Sequence, residues 1–200
     1  MNMDKASFEA FKAQGYNRIP VVREILADTD TPLSTYLKLG KGAHSYFFES
    51  IQGGEKWGRF SIIGLPCRTV VRVVGKRVTV ECDGEVVESL ETDDPFVFIE
   101  QYKARFNVAE VTDNQRFGGG LVGYFAYDTV RYVEPTIGPA KDPGALDTPD
   151  ILLMLSEEVV VFDNLRGTIA FVITVDPADP QAFENAQARI DVLQAQLAAA

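Results

Sequence analysis

An α+β fold, with mainly antiparallel sheet and flanking helices, is predicted by three observations on the 200-residue chain. Residues 94–106 and 179–197 carry apolar stripes at three- and four-residue spacing, the mark of helices that bury one face. RVTVECDGEVV alternates Val78, Val80 and Cys82 with Arg77, Thr79 and Glu81 before an Asp83-Gly84 pair, which marks a two-residue hairpin. ILLMLS, EEVVVFD and GTIAFVITV are short apolar runs of strand length, the last two joined by a turn over Asn164 to Gly167.

The remaining elements follow in order. Residues 6–14 have a helical pattern, and Pro32 followed by LSTYLKLG has another, with proline early and Gly40 as the stop. From Tyr46 to Val87, YFFESI, FSII, RTVVRVV, RVTVEC and EVVE are separated by Gly-Gly, Leu-Pro, Gly-Lys and Asp-Gly, which predicts one antiparallel meander with Cys82 in the core. The next helix takes Asp94 as N-cap and Pro95 at its first position, with Phe98, Ile99, Tyr102 and Phe106 on one face. RFGGGLVGYFAYDTVRYVEP, residues 116–135, is a glycine-rich strand leading to a short helix, with Asp128 as its expected N-cap. Glycines at 118, 119, 120 and 123 allow a neighbouring element to lie close. Residues 136–150 form a loop. The last helix, opened by Asp179 and Pro180, sets Phe183, Ala186, Ile190, Leu193 and Leu197 in a stripe running almost to Ala200, without a glycine stop or basic last turn, as in a chain that continues.

A chain of this length that is 46% hydrophobic can bury one sizeable core, with room for a small second lobe; one compact unit is the expectation. A net charge of −10 argues against attraction to nucleic acid or an anionic membrane surface as its main business. Cys67 and Cys82 lack any CxxC or Cys/His spacing, so neither a disulfide framework nor a zinc site is predicted. The N-terminus has no continuous apolar core, and no run approaches the roughly 18 apolar residues of a membrane helix. A cytoplasmic protein is expected.

Chemistry is sparse. One histidine, His44, excludes His-rich metal sites and has no serine in a nucleophile-elbow context beside it, so it is read as a loop residue. Gly118 to Gly120 precede a strand-like run, whereas a phosphate loop follows a strand and opens a helix. Glu157-Glu158 are adjacent on a strand and project to opposite faces, while Asp93-Asp94 begin a helix; neither is an acid/base dyad. A ligand site is the better prospect. In SYFFESIQGGEKWGRFSIIG, residues 45–64, Glu49 and Ser50 end an aromatic run, and beyond a Gly-Gly turn Lys56 and Arg59 are the basic residues near enough in sequence to complement Glu49 or a ligand carboxylate. Alternation sets Phe48 and Ser50 on one face and Phe47 and Glu49 on the other, so both polar groups line one pocket only through a bulge or twist. By periodicity alone this is a hairpin with solvated charges.

Four blocks in order, IPVVREILADTDTPLSTYLKL, SYFFESIQGGEKWGRFSIIG, RFGGGLVGYFAYDTVRYVEP and DILLMLSEEVVVFDNLRG, resemble the N-terminal region of anthranilate synthase component I, a family of chorismate-utilising enzymes. The resemblance implies that residues 1–200 are the N-terminal regulatory domain of a larger two-lobed subunit, roughly twice this long or more. It also implies that the C-terminal chorismate-binding catalytic domain is absent, taking with it the catalytic residues and a magnesium site and leaving no cofactor in this segment. The complete enzyme would make anthranilate and pyruvate from chorismate and ammonia, the ammonia coming from glutamine through a glutaminase subunit (component II). A Leu-Leu-Glu-Ser type strand of the family's tryptophan feedback site is matched by Phe47, Phe48, Glu49 and Ser50, with phenylalanines replacing the leucines, and a basic residue after the turn is matched by Arg59. The implied partial L-tryptophan site is therefore Phe48, Glu49, Ser50, Ile51 and Arg59, completed by the segment's own catalytic half. Two alternatives stand beside this reading: a segment of aminodeoxychorismate synthase component I, and a stand-alone amino-acid-binding or interaction module.

Overall fold

The computed structural model describes residues 2–49, 58–110, 117–138 and 148–199. In chain order the elements are α1 (Lys5–Ala13), β1 (Ile19–Leu26), α2 (Pro32–Leu39), β2 (Tyr46–Glu49), β3 (Phe60–Gly64), β4 (Thr69–Val74), β5 (Arg77–Cys82), β6 (Glu85–Glu91) and α3 (Pro95–Lys103). Then come β7 (Gly120–Phe125), α4 (Val130–Val133), β8 (Ile151–Ser156), β9 (Glu158–Asp163), β10 (Thr168–Val175) and α5 (Ala182–Ala198). The α+β expectation holds, with the strands sorted into two five-stranded sheets, β1-β10-β9-β3-β2 and β6-β5-β4-β8-β7.

Two compact units replace the single unit expected: Met1–Cys67, Phe106–Gly119 and Ser156–Ala200 make one, and Arg68–Arg105 with Gly120–Leu155 make the other. The predicted meander is divided between them. β3 pairs with β2 and β9, whereas β4 pairs with β5 and β8, so the chain leaves one sheet for the other at Leu65-Pro66, where proline has no N–H to continue a ladder.

In the first unit, helices cover one face of the sheet. Phe8 of α1, Leu39 of α2 and Ala186, Ile190, Leu193 and Leu197 of α5 pack with Val21, Ile63, Val160, Phe162 and Phe171 of the strands. Asp4 caps α1, accepting the Ser7 N–H at 2.8 Å, and Thr31 and Ser34 form a reciprocal capping box around Pro32 on α2. Gln181 is the residue before α5, and Asp179 instead accepts the Gln181 N–H at 2.9 Å. The C-terminal end of α5, which has no basic residue of its own, receives Lys38 Nζ from α2 at the Leu197 carbonyl, 2.8 Å away. On the opposite face Val22, Val159, Val161 and Val172 form a second buried cluster, with Phe60, Ile62 and Phe117 against it. β9 and β10 therefore read as nearly continuous apolar runs because both of their faces are packed. β1 is absent from the sequence-based assignment. Its Pro20 argues against a strand, but β1 is the sheet's edge, where proline is tolerated.

The second unit contains the predicted hairpin, with Asp83 at φ 52° and Gly84 at φ 84°, as a type I′ turn requires. Val78 and Val80 are buried, but Cys82 is only half-buried, because a register irregularity at Val80/Glu81 interrupts the alternation before the turn. Asp94 caps α3 through the Phe96 and Val97 N–H groups, and Phe98, Ile99 and Tyr102 are buried as expected. Phe106 lies beyond the end of α3 and belongs to the first unit, under the Arg18 guanidinium at 5.1 Å. Arg105, its neighbour, instead holds Glu88 of β6 at 2.7 and 2.9 Å. Of the four suspect glycines, Gly119 and Gly123 permit close approach: a Cβ on them would collide with the carbonyls of Ser156 and Leu152.

Candidate functional site

β2 runs antiparallel to β3 with Tyr46↔Gly64, Phe47↔Ile63, Phe48↔Ile62 and Glu49↔Ser61 as partners. Alternation sends Phe47 and Glu49 to the helix-covered face, and Phe47 stacks on Tyr36 of α2 at 5.7 Å. Tyr46 and Phe48 take the opposite face, their rings 4.9 Å apart. Tyr46 is buried with its hydroxyl 2.8 Å from Ser156 Oγ, and burial pushes its pKa up to about 12. Burial likewise pushes the Cys67 thiol up to about 11, which keeps it neutral and unfit as a nucleophile. At the outer end of the strand, Phe48, 52% exposed, and Glu49 reach the surface on opposite faces of the sheet. Ser50 and Ile51, like Lys56, lie outside the described residues.

Arg59 faces a different acid from the one expected. Its Nε lies 3.1 and 3.0 Å from the two carboxylate oxygens of Asp163, and Nη2 donates to Oδ2 at 2.7 Å. The guanidinium also lies 4.8 Å over the Phe60 ring, on the face that Phe60 shares with Phe48. Glu49 is on the other side, so Arg59 and Glu49 are not brought together. Asp163 further accepts the N–H groups of Leu165 and Arg166, both at 3.1 Å. Burial alone would raise its pKa, but the Arg59 hydrogen bonds and the two backbone donors outweigh burial and hold it below the ordinary aspartate value. Next to it, Asn164 donates to Ser61 Oγ at 3.1 Å and to the Gly58 carbonyl at 3.3 Å. The β9–β10 corner thus grips the chain at Gly58, Arg59 and Ser61, where β3 begins. Sequence reasoning missed Asp163 and Asn164 as the partners; FDNLRG carried an aspartate-initiated turn signal, with nothing to tie it to Arg59.

Other candidates have structural roles. His44 occupies a turn at φ 58°, its carbonyl accepting the Cys67 N–H. Glu158 is gripped by Arg189 of α5 at 2.8–3.1 Å, and Glu157 is 3.5 Å from Arg18. Asp128 makes no helix cap, because its carboxylate accepts Arg131 Nε at 2.9 Å instead. Among the described residues no group of three or more His, Cys, Asp or Glu could hold a metal ion, and no helix is long and apolar enough to cross a membrane. The described strand end thus presents the Phe48 ring and the Arg59 guanidinium on one face of the sheet and the Glu49 carboxylate on the other.

No protein-family model matches the chain. Anthranilate synthase component 1 of Pseudomonas putida is 55% identical over 191 residues, covering 96% of this chain and 39% of that protein. The chain is homologous to a segment of anthranilate synthase component 1. The Neisseria gonorrhoeae component 1 agrees, at 46% identity over 198 residues, 98% of this chain and 40% of the relative. This chain therefore spans about two-fifths of the length of the component 1 relatives it matches. The crystal structure of anthranilate synthase component I from Streptococcus pneumoniae has the same fold over 86% of this chain and 36% of its own, with a TM-score of 0.54 and 23% identity.

Proposed function

We propose that this chain is the N-terminal, regulatory part of an anthranilate synthase large subunit, which in its complete form converts chorismate and glutamine-derived ammonia into anthranilate and pyruvate for tryptophan biosynthesis. The observation that carries the reading is 55% identity to the Pseudomonas putida component 1 across nearly the whole chain. Catalysis and magnesium binding belong, in this reading, to the remaining part of the subunit, and ammonia comes from the component II glutaminase.

The same reading makes the strand end a partial tryptophan feedback site formed by Phe48, Glu49, Ser50, Ile51 and Arg59. A free amino acid needs an acceptor for its ammonium, donors for its carboxylate and an apolar slot for its indole. Glu49 supplies the first and Phe48 with Ile51 the last, while Ser50 bonds a polar end. Arg59 has Nη1 to offer, which among the described residues lies outside the pairing of Nε and Nη2 with Asp163. Because Phe48 and Glu49 leave β2 on opposite faces, one ligand touches both only by sitting beyond the end of β2. Tryptophan bound there lowers catalysis at a distance by preferring one arrangement of the subunit.

Assay of the complete subunit tests the enzyme reading: anthranilate as product supports it, and aminodeoxychorismate as product overturns it. Tryptophan titration tests the site. Wild type is inhibited and Ser50→Phe escapes; equal inhibition of both would remove the feedback assignment. The 200-residue segment alone is expected to show no turnover and weak or no tryptophan binding, and calorimetry giving micromolar affinity would contradict a site that is only partial.

A further inference from the structure

Three of the four sheet edges carry features that discourage another strand from adding. β6 has Glu85, Glu88 and Glu91, β1 has Pro20, Arg23 and Glu24, and β2 is four residues long among the described residues and carries Glu49. The fourth edge, β7, has none of these. GLVGYF is six residues without charge or proline, and among the described residues no strand pairs with its outer side. The Ala126 N–H bonds to the Asp150 carbonyl at 2.8 Å, at the β8 side. Hydrogen-bonding direction alternates along a strand, so the N–H groups of Val122 and Tyr124 point toward β8 and those of Leu121, Gly123 and Phe125 point outward. Aromatic residues at the end of the strand and just after it are exposed: Phe125, which stacks on Phe96, is 49% exposed and Tyr127 92%. An uncharged, glycine-bearing edge beside exposed aromatic rings is a template for strand pairing that a soluble protein keeps covered.

We propose that the outer edge of β7 pairs, through its backbone, with a β-strand from the part of the large subunit beyond these 200 residues. The proposal rests on the reading that this chain is part of such a subunit; the chain covers 39% of the Pseudomonas putida relative, so most of that protein's length is available to supply the strand. Strand addition satisfies the outward N–H groups of Leu121, Gly123 and Phe125, and alternate apolar side chains of the incoming strand lie beside Leu121 and Phe125.

Hydrogen exchange on the complete large subunit tests this. The amides of Leu121, Gly123 and Phe125 are expected to exchange as slowly as those of Val122 and Tyr124, equally at all protein concentrations and without component II. Fast exchange at those three overturns the proposal, as does protection that grows with concentration, which means a second copy, or protection that needs component II. A paired variant set adds a second readout, because proline is harmless where an N–H faces solvent and disruptive where it is bonded. Leu121→Pro should lower the melting temperature of the complete subunit more than Leu121→Ala, and equal losses overturn the pairing. A subunit that makes anthranilate while its β7 amides exchange fast defeats this inference alone. One that protects β7 but makes no anthranilate supports the pairing and defeats the proposed function.

Discussion

Two arginine–aspartate pairs sit beside turns, one in each unit, and they differ in nearly everything except their chemistry. Arg68–Asp83 joins residues 15 apart, from the start of β4 to the β5–β6 turn, whose own geometry already suffices, with the side chains 75% and 53% exposed. Arg59–Asp163 joins residues 104 apart, and its aspartate, 11% exposed, also holds two backbone N–H groups of the β9–β10 turn. An exposed ion pair is screened by water and salt and loses side-chain entropy when ordered, so it contributes little. A carboxylate that is shielded and fully hydrogen-bonded cannot be removed without stranding its donors.

Removing the shielded carboxylate gives the largest effect. Asp163→Ala deprives Arg59, Leu165 and Arg166 of their acceptor and is expected to cost about 2–3 kcal/mol in chemical denaturation. A cost indistinguishable from that of Asp83→Ala would erase the contrast. Asp163→Asn keeps an acceptor for the turn amides and loses only the charge, so about 1 kcal/mol is expected, with the native fold retained. Acid sharpens the comparison further. The Asp163 pKa is lowered on folding, so its contribution is fully present above the unfolded aspartate value of about 3.9 and is lost as pH falls through the lower folded value. Wild type should therefore lose more stability below about pH 4 than Asp163→Asn does. The smallest effect is Asp83→Asn. Asparagine also accepts a positive φ, and its denaturation midpoint should match wild type in high salt.

The same contrast explains which features were legible in the sequence. Asp94-Pro95, the Thr31-Pro32 start and the Asp83-Gly84 turn act within a few residues, so their roles can be read from the residues themselves. β1 was hidden because Pro20 argues against a strand unless the strand is known to be an edge. The meander was assigned to one sheet because β3's other partner, β9, lies beyond all of the second unit. Arg59 was matched with Glu49, the strand acid across the Gly-Gly turn, when its partner is Asp163, the last residue of β9. Phe106 continued a helical stripe for one turn too many, since helix termination at Ala104 has no proline or glycine to announce it. At the strand end, alternation already separated Phe48 from Phe47 and Glu49, but which of the two faces the helices cover depends on pairing with β3 and β9, which no local pattern specifies.

The long interval between β3 and β9 also sets a schedule for synthesis. Ser61 must wait for Phe162, its partner across the sheet, while the ribosome adds about a hundred residues, roughly 5–20 s at ordinary elongation rates. During that interval the β4–β5–β6 hairpins close locally, while β2 and β3 hold an open apolar margin that chaperones or neighbouring nascent chains can reach. Pulse labelling of ribosome-bound chains stalled with residue 105 clear of the exit tunnel should find protected amides on β5 and unprotected ones on β3. The sheet of the first unit opens with β1 and waits for β9 and β10, which follow every strand of the second unit.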